Sequence, residues 1–301
     1  MWVYHDRYHN SALISKLSED TYQVYKIFIS DKQYRFHFQD IKANVEQSLG
    51  TSELYVLKST KYKICINGIL YQYSLQQQET GIVIEKIFPI HPGLTAQFVD
   101  KLPIFLQDGT VKTYDIIELG ESCARGKNFR GCQAFRLPKH IKVIADWSFT
   151  DCEFSDDVQF NFSYCSGLEY IGLAAFAHAN LSGILIFPDS LIEIGDMAFM
   201  ETKVQQIISW NGIKKYGKQS FFNCNLLAAI PPFPADAVTE QDTFAGCQFS
   251  DMSSLCITDF DKIPIEQFSQ IKNPNFCFFV PSALKAKIPN KVLEKFHIVL
   301  F

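Results

Sequence analysis

The chain has 301 residues, more than one small domain needs, and this length suggests about two domains. Hydrophobic residues make up 47% of the sequence and charged residues 20%, a composition that allows a packed core and argues against intrinsic disorder. The formal net charge of −4 argues against a protein that binds nucleic acid chiefly through phosphate contacts. We therefore expect a folded protein without a nucleic-acid partner.

The start of the chain and its cysteines indicate where the protein works. The sequence begins MWVYHDRYH, without the basic residues and the apolar run of a cleaved signal peptide. No run of about 18 apolar residues occurs, so no membrane span is expected. None of the nine cysteines is separated from another by the two-residue gap of zinc knuckles. We expect free thiols in a cytoplasmic protein, or in one exported without a cleaved signal peptide.

Residues 1–118 are predicted to form a small α+β domain that is mostly antiparallel. Its first elements are a β-hairpin around Ser30-Asp31-Lys32 and a short helix over Asp40–Leu49, which Gly50 ends. A tight turn is predicted at Asn67-Gly68, between two of the strands that follow. These strands are Glu53–Leu57, Lys61–Ile66, Ile69–Ser74 and Gly81–Phe88. We recognise no family resemblance in this part of the chain.

From about residue 120 the sequence repeats with a period near 23 residues. A phenylalanine recurs at steps of 27, 23, 22 and 23 residues, at Phe149, Phe176, Phe199, Phe221 and Phe244. The longer first step indicates an insertion near Ser155-Asp156-Asp157. Three positions after each phenylalanine comes a small residue, at Cys152, Ala179, Thr202, Cys224 and Cys247. Phe129 and Cys132 give a weaker copy upstream.

Aliphatic residues recur in the same phase. Two columns precede the phenylalanine, at Ile141, Leu168, Leu191 and Ile213, and at Ile144, Ile171, Ile194 and Tyr216. Two more follow it, at Leu181, Val204 and Leu227, and at Ile184, Ile207 and Ile230. Because the period lies within the range of leucine-rich repeats, about 20–29 residues, we predict a parallel-strand solenoid of about five to six coils. The columns point inward and the phenylalanine fills the interior, since only stacked coils can bury them.

The cysteines of the repeat allow two interpretations. Cys132, Cys152, Cys224 and Cys247 share one phase and could form a ladder of thiols that holds a metal. Packing is the favoured interpretation, because Ala179 and Thr202 occupy the same column and cysteine behaves as a small buried hydrophobe. We therefore predict no metal site and no cofactor in the repeats.

The columns resemble the BspA-like leucine-rich repeat family. The best matching stretches are GLEYIGLAAF at 167–176 and FPDSLIEIGDMAF at 187–199. The stretch FFVPSALKAKI at 278–288 resembles the Val-Pro ending that closes such arrays. The resemblance implies a curved solenoid over residues 119–301, with a C-terminal cap from about residue 276. It also implies a binding role, often in proteins of host-associated microbes that engage host molecules.

A second aromatic row runs through the repeats at steps of 23 residues, at Tyr164, Phe187, Trp210 and Phe233. Equal phase means that these side chains form a column along the solenoid. If the column is exposed, it would be an aromatic stripe suited to gripping a partner. If the column points inward, it belongs to the core. The core is favoured, because the family pattern usually has an aliphatic residue before the proline.

Candidates for partner contact are the residues that lie between inward positions on the same strands. Ser182, Gln205, Gln206 and Ala228 vary in type, as residues of a solvent-facing or partner-facing sheet would. The aromatic residues Trp147 and Trp210 are further candidates for contact with a partner.

We predict a protein–protein interaction module or scaffold that binds through the strand face of the solenoid. The repeats use their conspicuous residues for packing and bring together no acid, base and nucleophile, so we predict no enzyme. Since no secretion signal is visible, an intracellular scaffold or an effector delivered by a specialised machine is favoured. Two alternatives stay open: an enzyme in residues 1–118 with the solenoid selecting its substrate, and self-association through an uncovered solenoid end. The sequence leaves the oligomeric state open.

Overall fold

The computed structural model of the chain is built mainly from short β-strands. It describes residues 2–5, 11–16, 22–25, 54–57, 62–66, 69–75, 81–89, 96–105, 111–130, 135–155, 160–268 and 271–301. Strands β1 to β10 are Trp2–His5, Ser11–Lys16, Tyr22–Tyr25, Leu54–Leu57, Tyr62–Ile66, Ile69–Leu75, Ile82–Pro89, Ala96–Gln97, Lys101–Phe105 and Val111–Leu119. Strands β11 to β21 are Asn128–Phe129, Phe135–Arg136, Val143–Ile144, Glu153–Phe154, Phe160–Asn161, Tyr170–Ile171, Ser182–Ile186, Glu193–Ile194, Lys203–Ser209, Lys215–Tyr216 and Val238–Thr239.

The C-terminal part adds strands β22, β23 and β24 and the short helix α1. These elements are Ser254–Cys256, Cys277–Val280, His297–Leu300 and, for α1, Asn290–Lys295. Three 3-10 helices lie at Phe162–Tyr164, Ile265–Phe268 and Ser282–Lys287. In the described part of the chain, helices are therefore few and short.

One long sheet organises the fold, in the order β21-β20-β18-β16-β13-β10-β7-β6-β5-β4. From β21 to β7 all neighbouring strands are parallel, with one short strand from each coil between β13 and β21. From β7 to β4 the neighbours are antiparallel. The predicted solenoid of parallel strands is thereby confirmed.

The N-terminal predictions fall partly on described residues. The four strands predicted between residues 53 and 88 correspond to β4, β5, β6 and β7. Strand β3 covers the start of the predicted hairpin, but the rest of the hairpin, the helix over 40–49 and the turn at 67–68 lie outside the described residues. Because β10 pairs with β7 on one side and β13 on the other, the long sheet continues through the predicted boundary at residue 118. The boundary itself stays a prediction.

The phenylalanine column is a continuous stack of rings in the interior of the solenoid. Ring centroids lie 5.1 Å apart for Phe149 and Phe176, and 5.2 Å apart for Phe176 and Phe199. The stack continues from Phe199 to Phe221 at 5.2 Å and on to Phe244 at 5.4 Å, with ring planes within 6°. All five rings are buried. The predicted role of phenylalanine as the internal filler is confirmed.

Each coil turns twice through the left-handed region of backbone conformation, once before and once after the stacked ring. In the coil of Phe199, Met197 has a φ of 54° and Glu201 a φ of 55°. The equivalent pairs with positive φ are Trp147 and Asp151, Ala174 and His178, Gln219 and Asn223, and Asp242 and Gly246. Since left-handed conformations are uncommon outside glycine, their recurrence shows that the coil imposes them.

Two columns are occupied differently from the sequence prediction. Phe129 is not the upstream copy of the stacked phenylalanine. It lies on β11 opposite Phe154 on β14, and the two rings stack with their centroids 5.3 Å apart. Tyr164 does not join Phe187, because the 3-10 helix shifts the chain and Phe162 stacks on Phe187 instead, at 5.6 Å. Tyr164 is exposed, and the guanidinium of Arg136 lies 3.5 Å from its ring centroid.

A third column changes because of a β-bulge between β17 and β19. Gly183 opposes Val204 whereas the next residue, Ile184, opposes Gln206, so β19 contains an extra residue at this point. Leu185 therefore lies opposite Ile207 and is buried, and Ile184 is exposed. The predicted column of Ile184 with Ile207 is wrong for this reason.

The rest of the second aromatic row is core, as favoured above. Phe187 and Trp210 are fully buried, and Phe233 packs against the core with its ring centroid 5.1 Å from that of Trp210. The indole Nε1 of Trp210 donates a hydrogen bond to the backbone oxygen of Pro232 at 3.0 Å. The row therefore fills the interior and offers no exposed aromatic stripe.

The segment predicted as a cap, from about residue 276, contributes β23 and β24 to the parallel sheet β22-β23-β24. Phe278 lies 6.2 Å from Phe268, which itself stacks on Phe244 at 5.7 Å. Phe276 and Phe296 pack edge-on against Phe278, at 4.9 Å and 5.4 Å. These rings continue the apolar interior beyond the last stacked phenylalanine.

The phenol of Tyr216 is an unusual member of the core. Its ring packs edge-on against Trp210 at 5.0 Å and Phe233 at 5.6 Å, and its hydroxyl forms no hydrogen bond with any described residue. Burial raises the pKa of this phenol well above its usual range. A buried polar atom without a partner costs about 1–3 kcal/mol.

We predict that Tyr216→Phe raises the free energy of unfolding by about 1 kcal/mol, because it removes this unpaired hydroxyl without opening a cavity. Urea unfolding followed by circular dichroism measures the change. Tyr170→Phe is the matched control, since Tyr170 is only half-buried on the long sheet and should give no gain. A loss of stability in Tyr216→Phe would mean that the hydroxyl is paired in solution.

Candidate protein-binding face

The solenoid presents two strand faces to solvent, one on the long sheet and one on the sheet of β15, β17 and β19. We call the second the uncharged face and define it by Ser182, Ile184, Gln205, Gln206, Ile208 and Ala228; Lys203, opposite Ser182, is the one charged residue of its strands. Gln205, Gln206, Ile184 and Ile208 are exposed, while Ser182 and Ala228 are half-buried. The four strand residues predicted to contact a partner therefore all lie on this face.

The bulges in β19 place several of these side chains outward together. Val204 and Ile207 are buried, and between them both Gln205 and Gln206 are exposed. The backbone NH of Ala228 donates to the oxygen of Gln205 at 2.7 Å, which adds the next coil to the face. Because the bulge also exposes Ile184, an apolar side chain lies opposite Gln206. The face is thus a mixture of amide and aliphatic groups.

Two contributors to this face, Ile184 and Ile208, were missed by sequence reasoning. They expose 40% and 47% of their surface, respectively. The residue before Ile184 is Gly183, which has a φ of 83°. A glycine inside a strand is a signal for a bulge, and it could have indicated that the phase changes at this position.

The long sheet carries charged groups, and Lys215 pairs with two of the carboxylates. One outward row of this sheet consists, from strand to strand, of Glu118, Val143, Tyr170, Glu193, Lys215 and Val238. The ammonium of Lys215 lies 3.0 Å from Glu193 and 3.3 Å from a carboxylate oxygen of Glu240. These hydrogen bonds raise the pKa of Lys215, while burial raises the pKa of Glu118. We call this the charged face.

The contrast between the faces has a physical consequence for binding. The charged groups must be desolvated before a partner can cover them, and this cost falls on every ion pair of the charged face. The centres of protein interfaces are correspondingly depleted in charge. The uncharged face offers exposed isoleucines together with amides that can exchange their hydrogen bonds with water for bonds to a partner.

The two tryptophans predicted as partner contacts do not lie on the uncharged face. Trp210 is fully buried, so it belongs to the core and its prediction as a contact residue is corrected. Trp147 is half-buried in the turn before Phe149, where its backbone NH donates to the oxygen of Leu173 at 2.8 Å. Trp147 therefore lies in a turn and not on the strands that form the uncharged face.

Of the cysteines in the repeat column, Cys152, Cys224 and Cys247 are buried in the interior, and Cys132 lies outside the described residues. The thiol of Cys152 donates to the oxygen of Ala124 at 2.9 Å, and that of Cys247 to the oxygen of Phe221 at 3.1 Å. Cys224 donates to the oxygen of Phe199 at 3.0 Å. Burial raises the pKa of the Cys152 thiol to about 12. Because the thiolate is the reactive form, burial disfavours nucleophilic chemistry at Cys152.

Among the residues that the structure describes, no cluster of three histidine, cysteine or carboxylate side chains has an arrangement that could hold a metal ion. No helix in the described part of the chain is long and apolar enough to cross a membrane.

Short parallel strands, one per coil, with inward columns and a ring stack, define a leucine-rich repeat protein. The family model of the BspA-type leucine-rich repeat region matches in six copies, over residues 127–251 and 159–275. The region from residue 127 to residue 275 belongs to this family. Repeats of this family suggest a protein-binding scaffold and are typically non-enzymatic.

Solved structures with detectable similarity include two leucine-rich repeat proteins. The one from T. pallidum is 16% identical, with a TM-score of 0.37, over 74% of this chain and 90% of its own. The one from Bacteroides ovatus is 14% identical, with a TM-score of 0.34, over 77% of this chain and 75% of its own. The pneumococcal vaccine antigen PcpA is 10% identical, with a TM-score of 0.22, over 79% of this chain and 98% of its own. No curated protein matches the sequence.

Proposed function

We propose that the protein is a scaffold that binds another protein through the uncharged face. The observation that supports this most directly is the exposure of Ile184 and Ile208 beside Gln205 and Gln206, on strands whose one charged residue is Lys203. A rigid stack of coils loses little conformational entropy on binding, so such a face can hold a partner without reordering itself. The charged face, where ion pairs already satisfy each other, serves solubility in this proposal.

We also propose that the chain acts by binding and not by catalysis. The raised pKa of the buried thiols Cys123 and Cys152 and the typically non-enzymatic nature of such repeats support this. Its localisation in the cytoplasm, or after export without a cleaved signal peptide, stays a prediction, as does a role as an effector of a host-associated microbe. The buried free thiols of the described residues are compatible with a reducing compartment.

The test compares two isoleucines of equal exposure on the two faces. Ile208 on the uncharged face and Ile192 beside the charged face each expose 47% of their surface. Peptides are first selected from a displayed random library against the immobilised full chain. We expect Ile208→Glu to weaken the selected peptides at least about tenfold, which corresponds to about 1.4 kcal/mol, because it buries a charge in the interface.

Ile192→Glu is the matched control and should change the affinity by less than about twofold. Both substitutions replace an exposed side chain, so circular dichroism should show equal folding for the two variants. The proposal fails if Ile208→Glu binds the peptides as tightly as the unchanged chain. It also fails if Ile192→Glu alone loses binding, because the partner would then occupy the charged face.

A further inference from the structure

The turn that follows β19 carries an asparagine directly before a glycine, at Asn211-Gly212. The NH of Ile213 donates to the oxygen of Trp210 at 3.1 Å, so these two residues occupy the central positions of a β-turn. Asn211 is exposed to solvent. The NH of Gly212 donates no hydrogen bond to any residue that the structure describes. The backbone nitrogen of Gly212 is therefore not held away from the side chain that precedes it.

We propose that Asn211 is a site of spontaneous deamidation in the folded protein. The nitrogen of Gly212 attacks the side-chain carbonyl carbon Cγ of Asn211 and forms a C–N bond, while the bond from Cγ to Nδ2 breaks. The amide proton of Gly212 leaves with Nδ2 as ammonia, and a cyclic succinimide remains. Water then opens one of the two ring carbonyls, which gives aspartate or isoaspartate. Glycine favours the attack because it has no Cβ to crowd its nitrogen.

The aspartate product would place two carboxylates against each other in neighbouring coils. Nδ2 of Asn211 donates to Oδ1 of Asp189 at 3.3 Å, and both residues are exposed. Deamidation replaces this nitrogen by a carboxylate oxygen, which is charged at neutral pH. The hydrogen bond is then lost, and two like charges repel each other in its place. The contact between these two coils is weakened as a result.

The isoaspartate product would also disturb the backbone contact between the same coils. Its main chain passes through the former side chain, which lengthens the turn by one methylene group. The space beside the turn is small, because a carbon added to Gly212 would overlap the backbone oxygen of Asp189 and lie 2.9 Å from that of Leu191. Trp210 before the turn and Ile213 after it are buried. The lengthened turn therefore cannot move away without disturbing the core.

Peptide mapping by mass spectrometry tests the reaction on the full chain. The chain is incubated in mildly alkaline buffer, where more of the attacking nitrogen is deprotonated. We expect Asn211 to react at least about tenfold faster than Asn225, an exposed asparagine followed by Leu226, whose side chain crowds the attack. An isoaspartyl methyltransferase should label the peptide that contains Asn211. Equal rates at the two asparagines would overturn the proposal.

The unfolded chain separates the effect of the turn from that of the Asn-Gly sequence. In guanidinium chloride this sequence reacts without the constraint of a fold. We expect the folded chain to react at Asn211 within about tenfold of the unfolded rate, because the turn is exposed and the nitrogen of Gly212 is not held. A folded rate that is slower by more than this factor would mean that the coil protects the site, and the proposal would be wrong.

Exchange of the two side chains tests the effect of the new charge. We expect Asn211→Asp to lower the midpoint of urea unfolding. Adding Asp189→Asn should restore it, because the hydrogen bond forms again with donor and acceptor exchanged. Asn211→Ser is the matched control, since it removes the donor without adding a charge, and it should lose less than Asn211→Asp. An unchanged midpoint in Asn211→Asp, or no recovery in the double variant, would overturn the role of Asp189.

The incubated chain tests the isoaspartate product. Molecules that carry isoaspartate at Asn211 are separated by ion exchange from those that carry aspartate. We expect their midpoint of urea unfolding to be lower than that of Asn211→Asp, because the longer turn adds to the effect of the charge. Equal midpoints would overturn the argument from the space at Gly212. The Asn211→Gln variant, which lacks the reactive asparagine, should keep its midpoint during the same incubation.

Discussion

Phe199→Ala is expected to lower the free energy of unfolding by about 3–5 kcal/mol. Phe199 is fully buried and stacks on two rings, Phe176 and Phe221, each at 5.2 Å. Alanine would remove the transfer free energy of the ring and leave a cavity between coils. The neighbouring coils cannot close this cavity, because their separation is fixed by backbone hydrogen bonds such as Phe199 NH to Ser220 oxygen at 2.7 Å.

Phe279→Ala is the control for loss of a phenylalanine as such. Phe279 exposes 37% of its surface on β23, so its replacement should cost less than about 1 kcal/mol. Urea unfolding followed by circular dichroism gives both values. If the two variants lose equal stability, the ring stack does not hold the coils together. A loss confined to the unfolding of one end would indicate that the coils unfold independently.

The repeat and its interior could be read from the sequence because packing is periodic. A ring stack requires one phenylalanine per coil, so the positions from Phe149 to Phe244 are fixed by geometry that recurs identically. The same holds for the small residue that follows: the Cys224 thiol and the Thr202 hydroxyl fill equivalent places, 3.3 Å apart. Periodic contacts are visible in one sequence without any structural knowledge.

The parts that could not be predicted are those where the phase of the repeat changes locally. The bulge between β17 and β19, beside Gly183, exchanges Ile184 for Leu185 in the core, a shift of one residue. A 3-10 helix shifts the aromatic position by two residues, from the expected Tyr164 to Phe162. A one-residue shift turns an inward side chain outward, so extrapolation with a constant period fails at such positions.

The candidate site was predictable in its position but not in its composition. Alternation along β19 placed Gln205 and Gln206 between inward residues. The exposed isoleucines were not predicted, because an isoleucine in a repeat is assigned to the core by default. A small cavity lined by Phe233, between the turn 232–237 and the segment 256–263, was not predicted either, because it is formed by two segments whose contact is set by the packing of successive coils. Only the folded chain brings these groups together.

Gly195→Ala is expected to lower the free energy of unfolding by about 2–3 kcal/mol, although it adds a single methyl group. The methyl carbon would lie 2.7 Å from the carbonyl carbon of Gly172 and 2.9 Å from the backbone nitrogen of Leu173. Both contacts are to backbone atoms, so no side chain can move aside. The NH of Gly195 donates to the oxygen of Ile171 at 2.7 Å, and separating the coils would break this bond.

The same replacement at Gly167 isolates the effect of close approach. A methyl group there would lie 3.6 Å from the oxygen of Ile141, an ordinary van der Waals contact. Gly167→Ala should therefore change stability by less than about 1 kcal/mol, and toward greater stability, because alanine reduces the entropy of the unfolded chain. Urea unfolding compares the two variants. Equal stability would mean that the coils can separate locally at Gly195, and the solenoid would then be held by its ring stack and not by contact between backbones.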